Sequence, residues 1–166
     1  MKTKLLDESQ TLQKIKRIAY QIYESNFEEK TIVLAGIDGQ GFEFAKLLLK
    51  NLNEIAHFEV IIANLSFDKQ AEIQPDITIK SKVDTFKGKV VVLVDDVLNT
   101  GKTLAYCFKP FLNIPLKKFQ VAVLVDRNYP KYPIAADFIG YSLSTTLTEH
   151  VKVVLNKNKE NGVYLF

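Results

Sequence analysis

The pair Asp95-Asp96 follows an unbroken apolar run, Val90–Val94, and precedes Val97-Leu98-Asn99-Thr100-Gly101-Lys102-Thr103. Two adjacent carboxylates at the end of a strand can hold a polyol or a metal-bound polyol. The residues after them supply backbone N–H groups, two hydroxyls and the N-terminus of a following helix. These are the parts of an anion cradle suited to a phosphate. Gly101 lets the backbone approach closely. Diol-binding acids followed directly by a phosphate cup describe a site for a ribose 5-phosphate. Either half alone reads as well as a strand ending in an acidic turn, with Thr100 or Thr103 capping a helix. The whole string favours the phosphoribosyl reading.

The elements around this string alternate between strand and helix. Leu12, Ile15, Ile18, Ala19 and Ile22 recur at helical spacing, with Asp7 or Ser9 as the cap. Thr31–Ile37 is a continuous apolar run, as expected of a strand buried on both faces. It closes in the turn Asp38-Gly39-Gln40-Gly41, and a helix over Phe42–Leu52 and a strand over Phe58–Leu65 follow. Residues 66–87 are polar and broken by Pro75, and read as a mobile loop or hairpin with Ile77–Ile79 as a short strand. Lys89–Val97 is the strongest strand, followed by a loop and a helix. Phe119–Asp126 is another buried strand. Ala136–Leu143 holds a short one, His150–Leu155 alternates like an edge strand, residues 156–162 read as a turn, and Val163–Phe166 pairs back. The order predicts an α/β protein with a parallel sheet, in which ligands bind beyond the carboxyl ends of the strands. Asp95 and Asp96 are expected at a solvent-facing strand end, where replacing both with Asn spares the fold.

Composition narrows the partners. The chain has 166 residues and a formal charge of +3, and only Arg17 and Arg127 among its 22 basic residues are Arg. Phosphate reading must therefore rest on Lys, backbone N–H groups and hydroxyls. The length suits one domain over residues 1–166. Cys107 has no partner for a disulfide, and no apolar run approaches membrane-spanning length, so a reducing cytoplasm is the expected location and no membrane partner is expected. Lys14 and Arg17 alone suggest a basic patch on the first helix, for which a solvated face is preferred to RNA contact. Cys107 reads as a core residue. His57 and His150 have no metal-ligand partners in the sequence and read as exposed or capping residues.

The stretch VVLVDDVLNTGKT resembles the phosphoribosyl-pyrophosphate (PRPP) signature of type I phosphoribosyltransferases. With LLDESQTLQKIKRIAYQIYESN, IVLAGIDGQG, VAVLVDRNYPKYPIAADFIG and STTLTEHVKVVL, nearly the whole chain is similar to the family of the pyrimidine-operon attenuation regulator, which is also a uracil phosphoribosyltransferase. The resemblance implies a parallel sheet with helices on both faces and a small hood. It implies that Asp95 and Asp96 hold the ribose hydroxyls, partly through Mg²⁺, and act in catalysis together with Lys69 and Asn99. Leu98, Asn99, Thr100, Gly101, Lys102 and Thr103 would wrap the 5′-phosphate. Gly39, Gln40 and Gly41 would form the pyrophosphate loop, and Ser66–Gln74 a lid. Asp126, Arg127, Phe138 and Ile139 would hold the base, with Phe138 stacked on its ring and backbone groups near Ile139 reading its edge. A homodimer or higher oligomer is implied as well.

The pattern departs from the family at three places. Gln40 stands where a basic residue is usual, so it brings no charge to the leaving group. Ser66-Phe67-Asp68-Lys69 replaces the lid's Tyr-Arg-Asp-Asp, so Lys69 offers charge without a bidentate fork. Asn99 stands where purine-salvage relatives have an Asp, and Asn takes no proton from a base. The sequence thus leaves three readings: a uracil enzyme, a purine-salvage enzyme on the same scaffold, and a non-catalytic PRPP or nucleotide sensor that acts through RNA.

Overall fold

The computed structural model describes residues 2–74, 76–157 and 160–166. The expectations that fall on Pro75, and on part of the turn at 156–162, lie outside those residues. Elements run in the order β1 (Thr3–Leu6), α1 (Glu8–Ser25), β2 (Thr31–Ile37), α2 (Gln40–Ile55), β3 (Glu59–Leu65), a 3-10 turn (Val83–Thr85), β4 (Val90–Leu98), α3 (Lys102–Leu112), β5 (Lys118–Asp126), β6 (Phe138–Ser142), β7 (Val151–Val154) and β8 (Gly162–Leu165). Five strands form a wholly parallel sheet in the order β3-β2-β4-β5-β6, and β1-β8-β7 form a small antiparallel sheet.

The continuous apolar runs are explained by cover on both faces. On one face Ile32 and Leu34 of β2, Val90, Val92 and Val94 of β4, and Ala122 and Leu124 of β5 pack against α1, α2 and the inner residues of the small sheet, Leu6, Val153 and Val163. On the other, Val33, Ala35, Val91, Leu93, Val121 and Val123 pack against Leu104, Cys107 and Phe111 of α3 and Phe86. Helix α1 is fixed by a reciprocal capping box, in which Gln10 N donates to Asp7 Oδ1 at 2.8 Å and Asp7 N to Gln10 Oε1 at 3.0 Å. Its buried stripe takes Thr11, while Leu12 stays 45 % exposed.

Three sequence expectations are revised. The N-terminal residues form β1, which pairs with β8, a strand too short and too far from its partner in sequence to announce itself. The Ile77–Ile79 strand reduces to one antiparallel bridge, Leu65 with Ile79, flanked by Ser66 N donating to Thr78 O and Lys80 N to Asn64 O. Residues 78–80 are thus folded back against the end of β3. Asp95 and Asp96 do not face solvent: they lie inside β4 and are 1 % and 8 % exposed.

The strand order places the site. From β2 the chain runs outward to β3, then returns to β4 beside β2 and runs outward the other way through β5 and β6. The crevice between the carboxyl ends of β2 and β4 is therefore the topological switch point, where an open α/β sheet receives ligands.

Candidate active site

Two helices begin at this crevice, each after a glycine that has no side chain to cap it. Helix α2 follows Gly39 and α3 follows Gly101, so both present positive dipole ends, and at α3 Lys102 N donates to Thr100 Oγ1 at 3.3 Å. Gly101 has φ 86°, a conformation that a side chain rarely adopts, and a Cβ there would lie 3.2 Å from Ile134 Cβ. The segment over it is pinned by Lys131 N and Tyr132 N donating to Thr100 O at 2.9 and 3.0 Å. Val97, Leu98, Asn99, Thr100, Gly101, Lys102 and Thr103 line one hollow of about 140 Å³ together with Asp95. The structure thus brings the whole phosphate-cup string together.

Beside it lies a cavity of about 310 Å³ lined by Lys69, Asp95, Asp96, Val97, Asn99, Thr103, Arg127, His150 and Val151. The first turn of α2 packs on its carboxylates: a Cβ on Gly41 would lie 2.9 Å from Asp95 Oδ1, so only glycine fits. Lys69 reaches in from the segment after β3, its Nζ 3.4 Å from Asp95 Oδ1 and 3.2 Å from Asp96 Oδ1. Burial lowers the affinity of Lys69 for its proton, but the two carboxylates more than reverse this and hold the ammonium above its ordinary range. Burial, with the neighbouring Asp96 charge, pushes the Asp95 carboxyl up to about 8 against the pull of Lys69. Two carboxylate oxygens thus converge on one cation position.

That donor set fits Mg²⁺. The ion takes hard oxygen ligands and commonly uses one or two carboxylates plus substrate oxygens. Among the described residues no cluster of three or more His, Cys, Asp or Glu could cage a metal alone, so Asp95 and Asp96 would share such an ion with a ligand.

The residues expected to hold the base are split. Arg127 lines the main cavity and is 4 % exposed. It donates to Asn99 Oδ1 at 2.8 Å, Thr145 Oγ1 at 2.9 Å, Glu149 O at 2.6 Å and Thr146 O at 3.4 Å, so most of its fork is spent on the protein. Asp126 and Ile139 line a neighbouring cavity, of about 220 Å³, with Tyr129, Pro130 and Ile134, which adjoins the cup through Leu98 and Asn99. Phe138 is in neither: its ring is 6 % exposed and sits in the core on the α1–α2 face. Stacking of Phe138 on a base is corrected on that ground, because side chains alternate along β6 and Phe138 points to the opposite face from Ile139. The Ile139 carbonyl is also taken, accepting from Arg17 Nη2 at 2.7 Å, with Gly140 O at 2.6 Å. Arg17 therefore binds the edge of β6.

The residues that do face the carboxylates from the hood are His150 and Val151. His150 is exposed, as the sequence predicts, and it lines the cavity as well. Its placement at the start of an alternating strand was visible. Which end of that strand meets the cavity depends on packing between the two sheets.

Gln40 is turned away. Leu155 N donates to Gln40 Oε1 at 2.8 Å, and Gln40 Nε2 donates to Asn156 Oδ1 at 3.3 Å. Asp38 is held on the other side, its Oδ1 accepting from Asn64 Nδ2 at 3.2 Å. Cys107 is buried beneath the sheet, and burial pushes its thiol up to about 12, so it offers no thiolate nucleophile. No helix among the described residues is long and apolar enough to cross a membrane.

Comparison with known proteins agrees with this geometry. The chain matches the phosphoribosyl transferase domain over residues 1–155. It is 34% identical over 170 residues to the bifunctional protein PyrR of Fusobacterium nucleatum, covering 97% of this chain and 96% of that one. It is 31% identical over 159 residues to that of Haemophilus ducreyi, covering 90% and 87%. Among solved structures, a hypoxanthine-guanine phosphoribosyltransferase from Bacillus anthracis superposes with TM-score 0.75 at 22% identity, covering 98% of this chain and 95% of that one. A hypoxanthine phosphoribosyltransferase from Trypanosoma cruzi superposes with TM-score 0.77 at 17% identity, covering 96% and 92%. These two likenesses show the fold.

Proposed function

The chain belongs to the phosphoribosyl transferase domain family, alongside the bifunctional PyrR proteins, and we propose that it transfers the 5-phosphoribosyl group of PRPP to uracil, releasing pyrophosphate. The observation that carries this reading is a pair of adjoining hollows that share Asp95, Val97, Asn99 and Thr103, one lined by the phosphate cup and the other by Asp96, Lys69 and the hood residues His150 and Val151. In this reading the start of α3 and the hydroxyls of Thr100 and Thr103 hold the 5′-phosphate. Asp95 and Asp96 hold the ribose hydroxyls, and His150 and Val151 face the base. Asp95 and Asp96 would hold Mg²⁺ together with PRPP, and the ion would supply charge neutralisation at the pyrophosphate.

A ring nitrogen of the base bonds to C1′ as the C1′–oxygen bond to pyrophosphate breaks, through an oxocarbenium-like transition state, and the proton of that ring N–H passes to water or to the departing pyrophosphate. The protein holds both groups in line, excludes water and stabilises the leaving charge. Lys69 supplies the positive charge nearest the carboxylates. No protein nucleophile is required.

Uracil is favoured over a purine because Asn99, at the junction of cup and cavity, has its side-chain oxygen bound by Arg127. Neither a carboxylate nor a free amide oxygen therefore meets a base there. A basic patch on α1 for RNA is weakened, since Arg17 spends its guanidinium on β6. A homodimer or higher oligomer and a cytoplasmic location belong to the same reading. The test is pyrophosphate release from PRPP and Mg²⁺ with uracil, hypoxanthine, guanine, xanthine and adenine in turn. Turnover with uracil alone is expected. Turnover of a purine without uracil overturns the assignment, and binding of PRPP without turnover of any base makes the protein a sensor.

A further inference from the structure

Both polar ends of Gln40 leave the crevice. The residue opens α2 from the loop expected to hold pyrophosphate, yet its Oε1 accepts from Leu155 N at 2.8 Å and its Nε2 donates to Asn156 Oδ1 at 3.3 Å. Leu155 and Asn156 directly follow β7. At the opposite end of this strand are His150 and Val151, which line the cavity. Strand β7 is an outer strand of the small sheet, hydrogen-bonded to β8 alone. Its other side is unpaired, so apart from its bonds to β8 and the buried Val153 it is held by ties at its ends.

The stretch before β7 is tied as well, and from the other phosphate loop. Arg127 donates to Thr145, Thr146 O and Glu149 O while holding Asn99 of the cup. The hood segment 145–156 is thus fastened at one end to the 5′-phosphate loop and at the other to the loop between β2 and α2. A shift of either loop reaches His150 through these bonds.

We infer that Gln40 is a positioning residue which ties the loop between β2 and α2 to the end of β7, so that the leaving-group end and the base end of the cavity are held in one geometry. It acts on the base through β7 and does not touch the pyrophosphate. This role gives a reason for an uncharged amide at that position. Accepting from one backbone N–H and donating to one side-chain oxygen needs both halves of an amide, whereas a Lys or Arg has no acceptor for Leu155 N. The inference rests on the transferase reading for its kinetic consequence, but not for the tie itself.

The experiment compares Gln40→Met, which keeps length and loses both hydrogen-bonding groups, with Gln40→Glu, which keeps an acceptor for Leu155 N and adds negative charge. KM for uracil and for PRPP, and amide exchange at Leu155, are measured in each, with wild type as reference. In Gln40→Met the uracil KM is expected to rise about five- to tenfold, the effect of losing one or two hydrogen bonds, with PRPP KM changed less than about twofold and Leu155 exchange accelerated. Gln40→Glu is expected to recover most of the uracil KM and the Leu155 protection. The inference is overturned if Gln40→Met raises PRPP KM and spares uracil, or if Gln40→Glu is the worse variant, since a side chain facing pyrophosphate must suffer from added negative charge. Should uracil not turn over even in wild type, the transferase assignment fails separately. Unchanged Leu155 exchange in Gln40→Met then still overturns the tie, and accelerated exchange still supports it.

Discussion

In one hollow, the cup over Leu98–Thr103 comes from one continuous stretch, and its donors are backbone N–H groups and hydroxyls at a helix start. Elsewhere, Lys69 reaches the Asp95-Asp96 pair, and Gln40 reaches the turn at 155–156 outside the crevice, each tie made by one side chain between segments distant in sequence. The first kind of site depends on backbone shape and tolerates a chain almost without Arg. The second depends on which long side chain points where, so substitutions such as Gln40 and Lys69 change its chemistry. A cup made largely of backbone is broken most by changing backbone conformation. A grip made of side chains can be broken by changing one of them.

The largest effect expected from this contrast is at Gly101. A valine there meets a φ of 86° and places its Cβ 3.2 Å from Ile134, so the cup must shift. The kcat/KM for PRPP is expected to fall about 100-fold, as a displacement of about 1 Å in a bound phosphate does. Near-normal kcat/KM in Gly101→Val breaks the claim that backbone shape makes the cup. Lys69→Met is expected to lower kcat about tenfold to a hundredfold by removing charge from the leaving-group side, without weakening PRPP binding, since the ammonium occupies the carboxylates in the free protein. Steady-state kinetics together with a PRPP titration separate the two effects, and a loss confined to PRPP affinity contradicts this account of Lys69.

A smaller effect is expected in the hood. His150→Ala should raise the KM for the base several-fold with little change in Tm. Phe138→Ala should leave that KM alone and lower stability by about 3–5 kcal/mol, as an emptied aromatic core position does. The reverse pattern would restore Phe138 to the base.

A further test is a pH dependence in Mg²⁺-free buffer. The Asp95 carboxyl is raised from 3.8 to about 8 in the folded protein. Its contribution to stability is therefore full below about pH 4 and is lost as pH rises toward about 8. Lys69, held above its ordinary range, stays charged throughout that window. Denaturant melts of wild type and Asp95→Asn are expected to diverge between these limits, with wild type losing stability relative to the variant as pH rises. Parallel curves would contradict the buried-carboxylate account.

The same contrast explains how far the sequence was legible. Val90–Thr103 states strand, acid pair, turn and helix in one uninterrupted run, and the structure assembles those residues into one hollow. The strands β2, β4 and β5 were visible as apolar runs because both their faces are covered. Phe138, expected on the base, lies in the core for a physical reason. The alternation along β6 sends Phe138 to the core face and Ile139 to the other, and nothing local says which face meets the ligand. His150 depends on how a separate small sheet docks, and Gln40 on which of its neighbours wins its amide. The strand β1 pairs with residues at the far end of the chain, a contact with no local pattern.

The claim on which the rest depends is that Asp95 and Asp96 hold the ribosyl moiety of PRPP with Mg²⁺. Calorimetric titration of PRPP into wild type and the Asp95→Asn/Asp96→Asn variant, in the presence of Mg²⁺, tests it most directly. The variant exchanges two buried carboxylates that share one ammonium for neutral amides, so it should fold with an unchanged circular dichroism spectrum. It should bind PRPP on the order of 100-fold more weakly or worse, as expected when a buried charged contact is lost. A folded double variant with wild-type affinity for PRPP would contradict the account.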